Sequence, residues 1–95
     1  MHEYEVTLIV HPDADETKLT AIEDKVKDLI TNNGGQLLKV EHWGRRQLAY
    51  PIKKVKEGQY VFMVAQLPAQ LPRDLENQFR ISEEILRHLL IRKDD

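Results

Sequence analysis

Apolar residues along this chain recur at every second position in some stretches and at helical spacing in others, and the two periods alternate. In residues 4–10, large apolar side chains alternate with Glu5, Thr7 and Ile9, which indicates a strand with one buried face. The next apolar residues follow the 3.6-residue period of an amphipathic helix. They are Leu19, Ile22, Val26, Leu29 and Ile30. This part of the chain is therefore predicted to form a strand followed by a helix.

Both ends of this helix are also marked in the sequence. Asp13 followed by Glu16 is typical of a capping box, in which side chains satisfy free backbone N–H groups of the first turn. Asn33, Gly34 and Gly35 tolerate the left-handed conformation that commonly ends a helix. The helix is therefore expected to lie between these two signals.

The middle of the chain has the pattern of a β-hairpin. Residues 37–43 alternate again, Gly44 indicates a bulge, and the chain stays extended up to Pro51, which keeps its predecessor out of helical geometry. Residues 53–58 are predicted to form the polar turn of the hairpin. The aromatic and β-branched residues 60–67 then predict its second strand.

The last third predicts another helix and another strand. Leu71, Leu75 and Phe79 recur at intervals of four with Pro72 in the first turn, and residues 85–91 form an apolar run. The resulting order is strand, helix, strand, strand, helix, strand. It predicts an α+β fold, with a four-stranded antiparallel sheet and both helices on one face. The other face would be an uncovered, partly apolar interaction surface.

Composition excludes several classes of function. The chain has 95 residues, of which 41% are hydrophobic and 32% charged, so residues 1–95 are expected to form one compact domain. There is no cysteine, and the four histidines are scattered without metal-binding spacing. The N-terminal apolar run is too short for a membrane span or a signal peptide. Hence no metal, cofactor or membrane partner is expected.

Catalytic chemistry is not expected either. Glu83 and Glu84 are adjacent carboxylates, whereas a catalytic acid and base need separate environments that drive their pKa values apart. Gly34 and Gly35 lack the lysine and the spacing of a phosphate-binding loop. The chain is therefore predicted not to be an enzyme and to have no small-molecule substrate.

Charge is unevenly placed along the chain. Residues 1–33 carry eight acidic and three basic side chains, whereas residues 44–56 carry five basic side chains and no acid, although the net charge is −2. Such a local excess of positive charge favours an anionic partner, and RNA is the candidate. A solvated hairpin without a partner remains the alternative. The candidate RNA-binding residues are Arg45, Arg46, Lys53, Lys54 and Lys56.

Aromatic side chains beside the hairpin have two interpretations. Tyr60 and Phe62 could stack on bases, as aromatics do in sheet-type RNA-binding modules. The surrounding residues lack the basic residue and the second glycine of that motif. Packing or contact with another protein is therefore the favoured interpretation.

Four segments of the sequence closely resemble a known family. They are Tyr4-Glu5, residues 43–54 (WGRRQLAYPIKK), residues 57–60 (EGQY) and residues 85–88 (ILRH). In these segments the chain resembles the bacterial small-subunit ribosomal protein six family, and the likeness covers the whole chain. The run from Gly44 to Ile52 is its most specific part.

The resemblance implies a ferredoxin-like βαββαβ fold and a function in the ribosome. It implies binding to the central domain of small-subunit ribosomal RNA together with small-subunit ribosomal protein eighteen. The location would be the cytoplasmic ribosome, or an organellar stroma if the gene is organellar. Relatives often have arginine where this chain has His2, so a phosphate contact at the N-terminus is not expected.

The resemblance also adds site residues. Arg87 joins Arg45, Arg46, Lys53 and Lys54 as a candidate for RNA or partner contact, whereas Lys56 is included on charge alone. The expected contacts with the partner protein are aromatic residues in and beside the hairpin. They are Trp43, Tyr50, Tyr60 and Phe62.

Two other classes of function stay open at this stage. One is a small-molecule regulatory or enzymatic domain on the same fold, and the other is a protein-interaction domain that does not bind RNA. An acylphosphatase-like enzyme would need an arginine and an asparagine near the first strand to hold phosphate. Residues 11–15 contain neither, which disfavours that enzyme.

Overall fold

The computed structural model describes residues 1–93 as a four-stranded sheet with two helices on one face. Every neighbouring pair of strands is antiparallel, and the strand order is β2-β3-β1-β4. The α+β fold predicted from the sequence is therefore confirmed. The elements are β1 (His2–Val10), α1 (Glu16–Asn32), β2 (Gln36–Ile52), β3 (Val55–Leu67), α2 (Leu71–Ile81) and β4 (Ile85–Arg92).

The hydrophobic core lies between the sheet and the helices, because alternate side chains of the central strands point to the helical side. Each large apolar side chain buried there contributes about 1.5–3 kcal/mol to stability. The fully buried set includes Val6, Leu8 and Val10 from β1, Met63 and Leu67 from β3, Ile30 from α1, and Leu71 and Leu75 from α2.

Helix α1 begins two residues later than the capping box predicted. Asp15 is the N-cap, and its Oδ1 accepts a hydrogen bond of 2.9 Å from the backbone N–H of Lys18. Asp13 lies in the preceding turn, where its backbone N–H donates to His11 Nδ1. The prediction of Asp13 as the cap was wrong because the chain first turns back on itself, with Ala14 N–H donating to the carbonyl of His11. The left-handed helix end is confirmed at Gly34, whose φ is 86°.

The hairpin turn is shorter than the sequence predicted. Only Lys53 and Lys54 form it, because β3 begins at Val55 and its next residues continue the ladder, with Glu57 opposite Gln47. Both lysines have positive φ, 49° and 68°, as a two-residue hairpin turn requires. The predicted six-residue turn was therefore wrong.

Glycines 44 and 58 have different roles in this hairpin. The bulge predicted at Gly44 is confirmed, since the register shifts there and its φ is 81°. Gly58 is buried within β3, where a Cβ would overlap the Cγ2 of Ile9. The hairpin can thus lie against β1 only because residue 58 has no side chain.

The final two elements match the sequence pattern. Pro72 lies in the first turn of α2, and β4 runs beside β1 from Ile85. Within residues 1–93, neither helix has the length and apolar character needed to cross a membrane.

Candidate nucleic-acid and protein interface

The face of the sheet that points away from the helices is uncovered. Cross-strand pairs share a face, so the register assigns its residues, as in the row formed by Glu41, Phe62, Thr7 and Leu89. We call this surface the open face. It comprises Glu3, Glu5, Thr7 and Ile9 of β1, Lys39, Glu41, Trp43 and Arg46 of β2, Tyr60, Phe62 and Val64 of β3, and Arg87, Leu89 and Ile91 of β4.

The open face exposes large apolar side chains on its two edge strands, β2 and β4. Leu89 and Ile91 are 48% and 47% exposed, and Trp43 is 41% exposed, although each is a large hydrophobic residue. Ile9 and Val64, which lie on the central strands of the same face, are buried. Several exposed apolar side chains on one face of a sheet are typical of a protein contact site.

Three of the four predicted partner residues meet on the open face. The rings of Trp43 and Phe62 are stacked, with centroids 5.1 Å apart and planes inclined by 14°. The guanidinium carbon of Arg46 lies 5.4 Å from the Trp43 ring centroid and 6.0 Å from that of Tyr60. The bulge at Gly44 follows Trp43 directly. These contacts form a layered cluster of aromatic rings and one cation.

Trp43 also orients a carboxylate. Its Nε1 donates a hydrogen bond of 3.1 Å to Glu41 Oε1, and Lys39 Nζ lies 3.0 Å from Glu41 Oε2. The Lys39 hydrogen bond, and then the Trp43 hydrogen bond, hold the pKa of Glu41 below its ordinary value. Glu41 therefore stays ionised on the open face.

The fourth partner candidate, Tyr50, meets a predicted RNA-binding residue instead. Its hydroxyl accepts a hydrogen bond of 2.8 Å from Arg87, across 37 positions of the chain. Tyr50 is on the distal part of β2 and Arg87 is on β4, so this bond ties the hairpin to the far edge of the sheet. Tyr50 is 57% exposed and remains available for contact.

The two adjacent arginines of the hairpin lie on opposite faces. Arg45 points to the helical side, where it donates to the carbonyl of Pro12 at 2.7 Å and lies 3.7 Å from Glu57 Oε1. Arg46 belongs to the open face. The five hairpin cations predicted from the sequence therefore do not form one cluster.

The three lysines at the hairpin tip are exposed. Lys53 and Lys54 form the turn, and Lys56 follows in the first residues of β3. Within residues 1–93, none of the three makes an ion pair. Their ammonium groups are therefore free to meet an anion.

Residues that shape the hairpin and the open face were missed in the sequence. Gln59 Nε2 donates to the carbonyls of His11, Pro12 and Ala14, at 3.1, 3.3 and 2.7 Å, and so fixes the loop before α1 against the base of the hairpin. No sequence motif marks this residue. Leu89 and Ile91 lie in a continuous apolar run of β4, so no alternation of polar and apolar residues assigns them to the open face.

The histidines and carboxylates of the described residues do not form a metal site. No group of three or more histidine, aspartate or glutamate side chains in residues 1–93 could hold a metal ion. His42 is paired with Glu23 of α1, and His88 lies beside the Phe79 ring, 3.9 Å from Glu76. These histidines connect helices to the sheet.

Comparisons with known proteins agree with each other. The family model described as "Ribosomal protein S6" matches residues 3–92. The "Small ribosomal subunit protein bS6" of Clostridium acetobutylicum is 47% identical over 91 residues, which cover 96% of each chain. That of Carboxydothermus hydrogenoformans is 39% identical over 94 residues, covering 99% of this chain and 98% of the relative.

A solved structure is similar as well. The crystal structure of 30S ribosomal protein S6 from Thermotoga maritima superposes with a TM-score of 0.89 at 33% identity, covering 97% of this chain and 87% of that one. These relatives are structural components of the ribosome and not enzymes, so the prediction of a non-enzymatic role is confirmed. The profile match, the relatives and the fold give one result: the chain belongs to the ribosomal protein S6 family of the small ribosomal subunit.

Proposed function

We propose that this protein binds the central domain of small-subunit ribosomal RNA as a pair with small-subunit ribosomal protein eighteen. The hairpin supplies the contacts to phosphates, and the open face receives the partner protein. The main support for the proposal is that the exposed lysines and the exposed apolar side chains lie on different parts of the same sheet. Within residues 1–93, lysines without an ion pair occupy the hairpin tip, whereas exposed apolar side chains lie on the open face.

The shape of the hairpin supports contact with RNA. β1 accompanies β3 only as far as Gln59, so the residues beyond it pair within the hairpin alone. The tip therefore extends past the rest of the sheet. Phosphate contacts of lysine release counterions and give affinity without sequence selectivity. Lys53, Lys54 and Lys56 are suited to that function.

The three arginines would act differently from the lysines. Each guanidinium is already oriented by the chain: Arg45 by the Pro12 carbonyl, Arg46 by two aromatic rings, and Arg87 by the Tyr50 hydroxyl. A planar guanidinium held in place can bind a phosphate through two hydrogen bonds. We infer that these arginines fix the position of the RNA while the lysines strengthen its binding.

The aromatic cluster supports the partner side of the proposal. The stacked rings of Trp43 and Phe62 share the open face with Tyr60 and with the exposed apolar side chains, which favours contact with a protein surface. Arg46 and Arg87 lie at the hairpin end of the same face, where the partner and the RNA would meet. The site of action would be the bacterial cytoplasmic ribosome, with an organellar ribosome as the alternative.

The experiment that tests this function is a titration of a central-domain RNA fragment with each protein alone and with both together. The isolated chain has few RNA contacts and should bind weakly, whereas the pair should bind at least about tenfold more tightly than either protein alone. A fragment from another domain of the same RNA is the control. Equal affinity with and without the partner would contradict the proposal.

A further inference from the structure

Glu5 is an unpaired carboxylate within the apolar part of the open face. It lies on the central strand β1, opposite Val64 of β3 and Ile91 of β4. Its side chain is half-buried, and within residues 1–93 it has no hydrogen bond or ion pair. The other two carboxylates of this face are satisfied. Glu3 lies 3.4 Å from Lys93 Nζ, and Glu41 lies 3.0 Å from Lys39 Nζ.

Covering this face with a protein would remove the remaining water from Glu5. A carboxylate that loses its water without gaining a cation or a hydrogen-bond donor opposes binding strongly. A partner surface that was apolar throughout would therefore bind poorly here. The partner must bring a hydrogen-bond donor to the position above Glu5, and a cationic donor compensates a carboxylate best because a charge-assisted hydrogen bond is stronger than a neutral one.

Charge along the open face also indicates which kind of molecule covers Glu5. Along the strands, the carboxylates of Glu3, Glu5 and Glu41 lie in the half of the face that is far from the hairpin turn. Arg46 and Arg87 lie in the half nearer the turn. A phosphate backbone above Glu5 would be repelled by this unpaired carboxylate, because Lys93 and Lys39 neutralise only Glu3 and Glu41. The occupant of this half is therefore a protein.

We propose that the protein covering the open face places a lysine or arginine side chain against Glu5, with apolar residues on either side of it. This inference rests on the proposed function, in which the open face receives a partner protein, and it specifies the chemistry of that contact. The flanking apolar residues of the partner would lie over Phe62, Leu89 and Ile91. The partner cation would then form a charge-assisted hydrogen bond in a water-poor interface.

The test compares Glu5→Gln with the matched variant Asp24→Asn, which removes one exposed carboxylate from the helical side. Calorimetric titration would measure the affinity of each variant for protein eighteen. Asp24→Asn should bind like the original chain. Glu5→Gln should bind at least about tenfold more weakly, because the partner cation then becomes buried without an opposite charge.

Two further variants separate charge from shape. Glu5→Asp keeps the charge and should lose less affinity than Glu5→Gln, whereas Glu5→Lys should lose more. Urea unfolding of the isolated chains should show that Glu5→Gln is at least as stable as the original, because Glu5 has no partner to lose. This result would exclude unfolding as the cause of weak binding.

The outcomes distinguish this inference from the function on which it rests. If the original chain binds protein eighteen and Glu5→Gln binds equally well, the proposed contact is wrong while the partnership stands. If the original chain does not bind protein eighteen at all, the partnership is wrong and the contact at Glu5 with it.

Discussion

At the scale of single residues, the fluorescence of Trp43 is a probe of the open face, because Trp43 is the only tryptophan of the chain. Its Nε1 donates to Glu41, whose pKa is lowered by Lys39 and by Trp43 itself. The ionised form of Glu41 is thus favoured by folding. Its contribution to stability is complete above the ordinary pKa of 4.5 and is lost as the pH falls through the lower folded value.

This linkage predicts a change in Trp43 fluorescence with a midpoint below pH 4.5, as the indole loses its charged acceptor. The measurement is an emission titration of the folded chain, with circular dichroism to show that the fold persists. Glu41→Gln should remove the transition. A midpoint at or above the ordinary value would show that neither Lys39 nor Trp43 stabilises the carboxylate.

The direction of individual side chains was the least predictable property of this sequence. The cluster of cations from Arg45 to Lys56 is visible in the sequence, yet adjacent strand residues point to opposite faces, and the sequence does not say which face is open. The bond between Arg87 and Tyr50 joins residues far apart in the chain. Such contacts depend on tertiary packing that no local pattern encodes.

At the scale of elements, periodicity predicted every helix and strand, and the errors lie at their ends. Asp13 and Asp15 have the same capping chemistry, and the turn made by His11 and Ala14 decides between them. The length of the hairpin turn was overestimated because most of residues 53–58 are polar. Polarity does not distinguish a turn from a two-stranded arm that is exposed on both faces.

The turn itself offers a test at this scale. Lys53 and Lys54 both have left-handed φ values, which cost side-chain-bearing residues about 1–2 kcal/mol each, whereas Asn and Gly adopt them readily. The double change Lys53→Asn with Lys54→Gly should therefore raise the free energy of unfolding by at least about 1 kcal/mol, since the extra flexibility of glycine in the unfolded chain offsets only part of the relieved cost. Urea denaturation measures this change.

RNA binding by the same variant should move in the opposite direction. The variant would lose two phosphate contacts and would therefore bind RNA less tightly, although its hairpin would be more stable. A control with Lys27→Gln, an exposed lysine of α1, should change neither property. Lower stability of the double variant would show that the lysines fit this turn without strain.

At the scale of the whole molecule, the fold separates the buried core from the proposed RNA-binding tip of the hairpin. The core lies between the helices and the sheet, whereas the hairpin tip contributes little buried surface. The sequence predicted that the hairpin tip lies outside the core, because the apolar periodicity and the three lysines of the tip occupy different segments, and the structure agrees. The sequence did not indicate how far the hairpin extends beyond the end of β1.

This separation predicts different effects of changes at the two places. Replacing Lys53, Lys54 and Lys56 by glutamine should leave the unfolding transition almost unchanged. The affinity of the protein pair for ribosomal RNA should fall. A plot of log affinity against log salt should become shallower by about 0.7–0.9 for each lysine that meets a phosphate.

Leu8→Ala supplies the opposite case, because Leu8 is completely buried in the core. This variant should lose about 2–5 kcal/mol of stability, yet the molecules that remain folded should bind RNA with the original salt slope. Measuring both variants by urea unfolding and by RNA titration at several salt concentrations separates the two effects. If the triple glutamine variant stays folded and keeps both its affinity and its salt slope, the lysines are solvated and the RNA lies elsewhere on the molecule.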